Sequence, residues 1–455
     1  MSTALDPTEL DTKELAARTA LAPSTLFRFA TAGSVDDGKS TLVGRLLHDS
    51  KAILADQLEQ VARTSRERGF AGAEGIDFAL LTDGLRAERE QGITIDVAYR
   101  YFATAERSFI LADCPGHVQY TRNMVTGATT ADAVVVLIDG RKGVLEQTRR
   151  HLAVTALLRV PHVIVAVNKI DLLDYAEESF APVERQVREV TAELGIVDVH
   201  VLPVSALEGD NIVERSPRTP WYTGPSLLQL LEELPGADAE ERELEPFRLP
   251  VQLVLRPQGG LSPDVVAADP DAVERLRDYR ASAGRIASGV VRPGDRVRVL
   301  PADISTTVTA VEIAGTEVFE ASAGQSVAIR LADDVDAARG SVLVAEDAAP
   351  ELAREIDAQL FLLDERPLVQ GARVLVKHGT KTVQAIVDEI LERRDLDSLA
   401  HVPADRLNAN EIGRARIRLA EALPLEPYRV SRQSGSFLVI RPTDGHTIAA
   451  GTVDE

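Results

Sequence analysis

Short apolar runs alternate with amphipathic stretches through roughly the first 240 residues of the chain. Five of these runs predict buried strands: Leu26–Ala32, Ser108–Leu111, Ala133–Ile138, Val163–Val167 and Val199–Val204. Helical patterns lie between them, as in Gln147–Leu158 and Pro182–Leu194. Strands that alternate with helices are typical of a mostly parallel sheet covered on both faces, so this half of the chain is predicted to be α/β.

The pattern changes after residue 240, where short β-prone runs follow one another. The clearest are Val251–Leu255, Arg296–Val299, Thr306–Val311, Gln325–Ile329 and Arg373–Lys377. Turn signals separate them, which predicts antiparallel β-barrels. An acidic linker ends at Pro250, and a second linker is expected near Glu346–Arg354. We therefore expect an N-terminal extension, an α/β domain and two barrels, over residues 1–24, 25–242, 246–347 and 355–455.

Composition excludes several classes of protein. The chain has 71 acidic and 50 basic residues, so its net charge of −21 argues against a protein that binds nucleic acid through broad phosphate contacts. Its one cysteine excludes an internal disulfide and a cysteine-based zinc finger. No run approaches the roughly 18 apolar residues that span a membrane, and the first residues do not form a secretory leader. We expect a cytoplasmic protein with no nucleic-acid or membrane partner.

Residues 33–40 read GSVDDGKS and match the phosphate-loop pattern GxxxxGK[ST]. An apolar strand precedes the loop and a helix-compatible run follows it, as the motif requires. Glycines let several backbone N–H groups point at one anion, and the helix N-terminus favours negative charge. Lys39 is expected to reach the β- and γ-phosphates, and the Ser40 hydroxyl to bind Mg²⁺. The candidate nucleotide contacts here are Gly33, Ser34, Val35, Asp36, Asp37, Gly38, Lys39, Ser40 and Thr41.

The tetrapeptide NKID over residues 168–171 follows the apolar run VIVAV, at a strand end where open α/β sheets bind ligands. Asp171 can accept hydrogen bonds from N1–H and the exocyclic amine of guanine, whereas adenine presents an acceptor at N1 and no such amine beside it. Asn168 can contact the base edge, and the stem of Lys169 can lie along the ring. The backbone at Ser205-Ala206 can donate to O6. These residues predict that the nucleotide is GTP.

Two segments are predicted to sense the γ-phosphate. In the first, Asp113-Cys114-Pro115-Gly116-His117, Asp113 would hold Mg²⁺ through water and Gly116 would let a backbone N–H approach the phosphate. His117 stands where a side chain must position the attacking water. In the second, Gly92–Asp96, the Thr94 hydroxyl would bind Mg²⁺. The candidate catalytic residues are His117, Lys39 and Thr94, and the candidate metal ligands are Ser40, Thr94 and Asp113. We interpret Cys114 as a small buried hydrophobe rather than a redox group.

Taken in order, these motifs resemble the G domain of translation-factor-type GTPases. Later segments extend the resemblance, over nearly the whole chain, to the large, GTPase subunit of bacterial sulfate adenylyltransferases. They are YRASAGRIASG from Tyr279, RPGDRVRVLP from Arg292, LVKHGTKTV from Leu375 and LNANEIGR from Leu407. The resemblance implies an α/β P-loop GTPase domain with a mostly parallel sheet, followed by two antiparallel β-barrel domains.

The same resemblance implies GTP and Mg²⁺ as cofactors and a small partner subunit that binds ATP and sulfate. That subunit makes adenosine 5′-phosphosulfate, and GTP hydrolysis on the large subunit is coupled to the step. Some relatives carry a fused adenylylsulfate kinase, but this chain has no second GxxxxGK[ST], so we expect no kinase activity. Two features depart from the family. Cys114 stands where Thr is more usual, and the polar segment Pro257–Leu276, which suggests a loop with a short helix, is longer than expected.

Two alternative functions stay open at this point. One is an elongation-type GTPase that delivers tRNA. Asp37 stands where bacterial factors of that type usually carry His, and Lys377-His378-Gly379 favours the sulfate enzyme. The other is a regulatory GTP-binding module whose hydrolysis is too slow to matter.

Overall fold

A computed structural model describes residues 26–51, 97–117, 121–236, 243–257 and 272–454, together with residues 61, 63, 65, 77, 78, 264 and 267. The chain divides into two compact units, the first reaching to residue 237 and including 396–399, and the second containing the rest. The extension over 1–24, the segment Gly92–Asp96 with Thr94, and much of Pro257–Leu276 lie outside the described residues. The four-part division proposed above stays a prediction.

Six described strands of the first unit form one sheet in the order β2-β3-β1-β4-β5-β6. They are β1 (Leu26–Gly33), β2 (Ala98–Ala103), β3 (Ser108–Asp113), β4 (Ala133–Asp139), β5 (His162–Asn168) and β6 (Val199–Pro203). Neighbouring strands run parallel, except that β2 and β3 run antiparallel. Every residue of β4 and β5 is buried, which explains their unbroken apolar sequences. The predicted mostly parallel α/β fold is confirmed.

The described helices of this unit alternate with its strands along the chain. They are α1 (Lys39–Asp49), α2 (Thr121–Ala128), α3 (Glu146–Leu157), α4 (Glu177–Glu193) and α5 (Leu227–Glu233), with a 3₁₀ turn over Ile170–Leu173. α5 begins at a capping box, in which Ser226 Oγ accepts from Gln229 N–H and the Gln229 side chain accepts from Ser226 N–H. No helix within the described ranges is long and apolar enough to cross a membrane.

The second unit consists almost entirely of strands. Their bounds are β7 (Arg248–Pro250), β8 (Leu253–Leu255), β9 (Ala281–Arg285), β10 (Val290–Val291), β11 (Arg296–Leu300), β12 (Ile304–Ile313), β13 (Thr316–Val318), β14 (Ala321–Ser322), β15 (Ser326–Leu331), β16 (Val342–Ala345), β17 (Leu352–Leu362), β18 (Leu368–Val369), β19 (Arg373–His378), β20 (Lys381–Arg394), β21 (His401–Pro403), β22 (Arg406–Leu407), β23 (Ile412–Pro424), β24 (Ser436–Ile440) and β25 (Thr447–Val453). A short helix, α6, spans Ala272–Arg275, inside the segment where a loop with a short helix was expected, and a 3₁₀ turn spans Glu346–Ala348.

These strands build two antiparallel sheets, each around its own apolar core. One follows the path β7-β16-β11-β12-β15-β9-β8, and β13 pairs with β12. The first and last strands of this path, β7 and β8, are consecutive in sequence. The other follows β19-β24-β25-β17-β23-β20-β21, and β19 also pairs with β20, which closes a barrel. Small two-stranded sheets pair β10 with β14 and β18 with β22. The expectation of antiparallel β-barrels is confirmed.

Two local predictions need correction. Val251–Leu255 does not form one strand, because Val251 N–H donates to Ser341 O while the next amide, on Gln252, donates to Ala283 O. The chain therefore changes partner strand between β7 and β8. β17 begins at Leu352, within the stretch expected to be a linker.

An ion pair between a buried arginine and a half-buried glutamate joins the two β-rich parts of the second unit. Arg248, only 4% exposed, contacts both carboxylate oxygens of Glu426, at 3.2 and 3.0 Å, and also donates to Ala348 O. Nearby, Gly340 N–H donates to the Thr380 hydroxyl at 3.1 Å. Since an unpaired buried charge is costly, each partner of the ion pair depends on the other.

Candidate nucleotide-binding site

The phosphate loop connects β1 to α1. Gly38, the residue before the helix, has a φ of 93°, a left-handed conformation that favours glycine. A Cβ there would also clash with Asn168 Nδ2. Asp37 is buried and its Oδ2 accepts from Ser34 N–H at 2.7 Å. Burial raises the pKa of Asp37, and the Ser34 N–H and Lys39 oppose that rise. The buried Asp37 carboxylate therefore fixes the conformation of the loop through its hydrogen bond with the Ser34 N–H.

Lys39 lies at the start of α1 with its side chain folded back over the loop. Its Nζ donates to Gly33 O at 2.8 Å and to Ser34 O at 2.9 Å. Burial lowers the pKa of Lys39, whereas the carboxylates of Asp113 and Asp37 raise it. The loop thus carries a buried ammonium whose nearest partners are neutral carbonyl oxygens, an arrangement suited to an additional anion.

A phosphate group fits the polar atoms of this loop. Among the described residues, Ser34 Oγ is buried and has no hydrogen-bond partner. Buried polar atoms are rarely left unpaired, so Ser34 is a candidate ligand contact. Val35 and Asp36 are exposed, and Ser40 and Thr41 are half-buried. No cluster of three or more His, Cys, Asp or Glu in the described part of the chain could hold a metal ion.

The first predicted switch segment lies against the phosphate loop. Asp113, at the end of β3, is 2% exposed and accepts from the Thr31 hydroxyl at 2.8 Å. A Cβ on Gly116 would clash with Lys39 Nζ and lie 2.6 Å from Gly33 O. Only glycine therefore permits this close approach. His117, next in the chain, is exposed.

Cys114 lies within the same segment. It is fully buried, and its Sγ donates to Ala112 O at 3.6 Å. Burial raises the pKa of its thiol, which makes the reactive thiolate scarce. These observations support the interpretation of Cys114 as a small buried hydrophobe. Pro115 is buried beside it.

The residues predicted to read the base lie at the end of β5. Asn168 is 2% exposed, and its Nδ2 donates to Asp37 O at 2.7 Å while its Oδ1 accepts from Ala206 N–H at 2.9 Å. The backbone at Ser205-Ala206 was expected to donate to O6 of guanine, and the Ala206 N–H of this pair is engaged by Asn168 in this structure. Asp171 Oδ1 accepts from the Ser205 hydroxyl at 2.6 Å, which fixes the direction of the carboxylate.

Asp139 belongs to the site but was not predicted from the sequence. Asp139 ends β4 and lies in register with Asn168 on β5. It is 1% exposed, receives two hydrogen bonds from the Arg141 side chain, and forms a 3.0 Å ion pair with Lys169 Nζ. Burial raises the pKa of Asp139, but the hydrogen bonds and charges of Arg141 and Lys169 lower it by more. The pKa of Asp139 therefore lies well below the usual range of an aspartate. Lys169 also donates to Asp36 O, so Asp139 anchors a lysine that touches the phosphate loop.

The sheet topology explains why these distant segments meet. β1, β3, β4 and β5 are parallel, so their carboxyl ends lie at one edge of the sheet. The structure brings the phosphate loop, Asp113–Gly116 and Asn168–Asp171 together at this edge. Thr94 lies outside the described residues, and the predicted role of each site residue stays a prediction.

Comparison with known proteins agrees with this architecture. Residues 24–237 match the family model described as the elongation factor Tu GTP binding domain. Residues 355–454 match the GTP-eEF1A C-terminal domain-like family. The fold, the loop and these matches together define a translation-factor-type GTPase.

Comparison with curated proteins narrows that class. Sulfate adenylyltransferase subunit 1 of Chromobacterium violaceum is 46% identical over 429 residues, which cover 94% of this chain and 86% of that protein. The protein of the same name from Bacteroides fragilis is 44% identical over 428 residues, with the same two coverages. The bifunctional enzyme CysN/CysC of Mycobacterium tuberculosis is 47% identical over 432 residues, 94% of this chain and 67% of that enzyme. The chain belongs to the sulfate adenylyltransferase subunit 1 family.

Proposed function

We propose that this chain is the GTPase subunit of a sulfate adenylyltransferase. It would hydrolyse GTP while a small partner subunit makes adenosine 5′-phosphosulfate from ATP and sulfate. The observation that carries the proposal is the Asn168 side chain, which links the base-reading segment to the phosphate loop on a chain 46% identical to sulfate adenylyltransferase subunit 1. We place its action in the cytoplasm, where ATP and GTP are available.

GTP binding would rest on two groups of residues. Backbone N–H groups of the phosphate loop and the ammonium of Lys39 would bind the β- and γ-phosphates. Asp171 would accept from N1–H and the 2-amino group of guanine, whereas the adenine of ATP has an acceptor at N1 and no amine at that position. Mg²⁺, when bound, would neutralise phosphate charge, and Ser40, Thr94 and Asp113 are the residues proposed to hold it.

Hydrolysis requires a water molecule in line with the bond to be broken. His117 follows Gly116, whose backbone lies against the phosphate loop, so its side chain is proposed to orient that water. The water oxygen attacks the γ-phosphorus, the bond to the bridging β–γ oxygen breaks, and GDP and phosphate leave. Loss of the γ-phosphate would release the contact at Gly116, so that residues 113–117 act as a switch.

The partner's reaction needs a driving force. An oxygen of sulfate attacks the α-phosphorus of ATP and pyrophosphate leaves, which forms a mixed anhydride that lies uphill. Each 1.4 kcal/mol supplied by GTP hydrolysis would shift that equilibrium about tenfold. Coupling of this kind requires that the two switch states differ in their contacts with the partner.

The test is reconstitution of this chain with the small adenylyltransferase subunit. We expect adenosine 5′-phosphosulfate formation to depend on GTP, with GDP released in proportion. Lys39→Ala should abolish both products, whereas Arg188→Ala should not, because Arg188 is an exposed residue of α4 paired with Glu184. Equal product with and without GTP would contradict the proposal.

The same preparation tests the two alternatives. Tight, GTP-dependent retention of aminoacylated tRNA on a filter would indicate an elongation-type GTPase. Slow GTP turnover that the small subunit does not stimulate, without GTP-dependent product, would indicate a regulatory module.

A further inference from the structure

The segment 205–226, between β6 and α5, carries Ser205 and Ala206 and is held by buried polar contacts. Asn211 is fully buried, and its Nδ2 donates to Pro203 O at 2.9 Å and to Thr219 Oγ1 at 3.0 Å. Its Oδ1 accepts from Ser216 N–H at 2.7 Å. These bonds fix the segment along most of its length, so it is a built structure and not a loose loop.

Asp210 connects this segment to both base-reading elements. Its backbone carbonyl accepts from Ser205 N–H at 3.2 Å. Its carboxylate, on a residue 6% exposed, accepts from the Tyr175 hydroxyl at 3.1 Å and from the Ser216 hydroxyl at 2.5 Å. Tyr175 lies just beyond the 3₁₀ turn that contains Asp171. One acidic residue therefore bridges the elements that carry Ser205 and Asp171.

Arg218 completes the connection from the solvent side. Its Nε lies 3.3 Å from Asp210 Oδ1, its Nη1 donates to the Tyr175 hydroxyl at 2.5 Å, and its guanidinium carbon lies 5.0 Å from the centre of the Tyr175 ring. The arginine thus combines a charge pair with Asp210 with a hydrogen bond and a cation–π contact to Tyr175. Its side chain is 48% exposed, so it can be changed without opening the core.

The backbone beneath this cluster is strained. Asp174 and Tyr175 are consecutive non-glycine residues in the left-handed region, with φ of 54° and 56°. Such conformations persist only where surrounding contacts enforce them, and they concentrate at functional sites. Trp221 supplies one such contact, since its Nε1 donates to Tyr175 O at 2.8 Å.

We propose that Tyr175, Asp210 and Arg218 form a positioning network that sets the selectivity of the site for guanine. The network holds the two base-reading elements in one relative position, so that Ser205 Oγ directs the Asp171 carboxylate. Guanine needs a fixed orientation of the Asp171 carboxylate, because its N1–H and its exocyclic amine must both be contacted at once. A base that offers N1–H alone tolerates a wider range of carboxylate orientations. The inference rests on the proposed function of the site as a guanine-nucleotide site.

Inosine diphosphate is the discriminating probe, because it keeps N1–H and O6 but lacks the exocyclic amine. The experiment compares dissociation constants for GDP and inosine diphosphate, by calorimetry, in the wild-type chain, Arg218→Ala and Tyr175→Phe. Arg188→Ala serves as the matched control, since it removes an exposed arginine paired with Glu184 on α4. Tyr175→Phe removes only a hydroxyl, so the ring packing remains.

We expect the wild-type preference for GDP over inosine diphosphate to fall about tenfold in both network variants and to stay unchanged in Arg188→Ala. A preference within about twofold of wild type in either network variant overturns the proposal, even if both nucleotides bind more weakly, because a purely structural role weakens both alike. A wild-type chain that binds ADP as tightly as GDP would instead refute the guanine site itself.

Discussion

The side-chain amide of Asn168 donates to the carbonyl of Asp37 at 2.7 Å and joins segments 131 residues apart in sequence. The same side chain accepts from Ala206 N–H at 2.9 Å. One buried amide therefore holds the phosphate loop, the end of β5 and the segment after β6 in a single arrangement.

Asn168→Ala would leave the Asp37 carbonyl and the Ala206 N–H without this partner. An unsatisfied buried polar group costs about 1–3 kcal/mol, and each 1.4 kcal/mol is tenfold, so we expect GDP affinity to fall by about 10- to 100-fold. Titration calorimetry measures it. Gln186→Ala is the control, since Gln186 is exposed and its Oε1 accepts from Val144 N–H at 3.4 Å on the surface. Similar losses in the two variants would contradict the assigned role of Asn168.

Asp171→Asn should move base preference from guanine toward xanthine. The amide offers a donor where the carboxylate accepted, and xanthine carries an oxygen where guanine carries its amine. Competition between GDP and xanthosine diphosphate for one labelled nucleotide would report the change. An unaltered order of affinities would show that Asp171 does not read the base.

His117→Ala should slow hydrolysis while leaving nucleotide affinity nearly intact. The side chain is exposed beyond the close contact of Gly116, and loss of a group that positions or activates water typically costs about 100-fold or more in rate. Single-turnover hydrolysis and the affinity for a non-hydrolysable GTP analogue separate the two effects. A proportional loss of both would remove His117 from the catalytic step.

His151 on α3 should make stability depend on pH. It is 1% exposed, and burial, followed by the charges of Lys39 and Arg150, lowers its pKa to about 3. The unfolded chain, with a His pKa near 6.5, then binds a proton that the folded chain does not. The contribution of His151 is therefore intact above about pH 6.5 and declines as pH falls toward 3, by up to about 1.4 kcal/mol per pH unit.

His151→Gln removes this titration. Denaturant unfolding at pH 7.5 and pH 5.5 should show a smaller loss of unfolding free energy in the variant than in the wild-type chain. Parallel losses in the two proteins would mean that His151 is not held neutral.

The parallel sheet was predictable because its central strands are buried on both faces and consist almost wholly of apolar residues. β2 was missed because it is an edge strand, in which exposed Tyr99 and Tyr101 flank Arg100. β20 was missed for another reason. Its sequence, KTVQAIVDEILERR, is rich in charge, and the register shifts after Val387, which breaks the alternation of buried and exposed residues.

The residues of the site also divide into those that the sequence predicted and those that it did not. Gly38, Lys39 and Asn168 belong to motifs whose spacing is visible in the sequence. Asp139 has no such motif, and its importance follows from lying beside Asn168 on the neighbouring strand. Strand order, which no local pattern specifies, was needed to find it.

Burial of Cys114 has a practical consequence for studying this molecule. It is the one cysteine of the chain, and it is fully enclosed beneath the switch. Maleimide reagents attack accessible thiolates, so the native chain should resist them while folded. A single cysteine engineered on an exposed strand would then be the one labelled by a fluorophore, giving a reporter of nucleotide-dependent motion without replacement of Cys114.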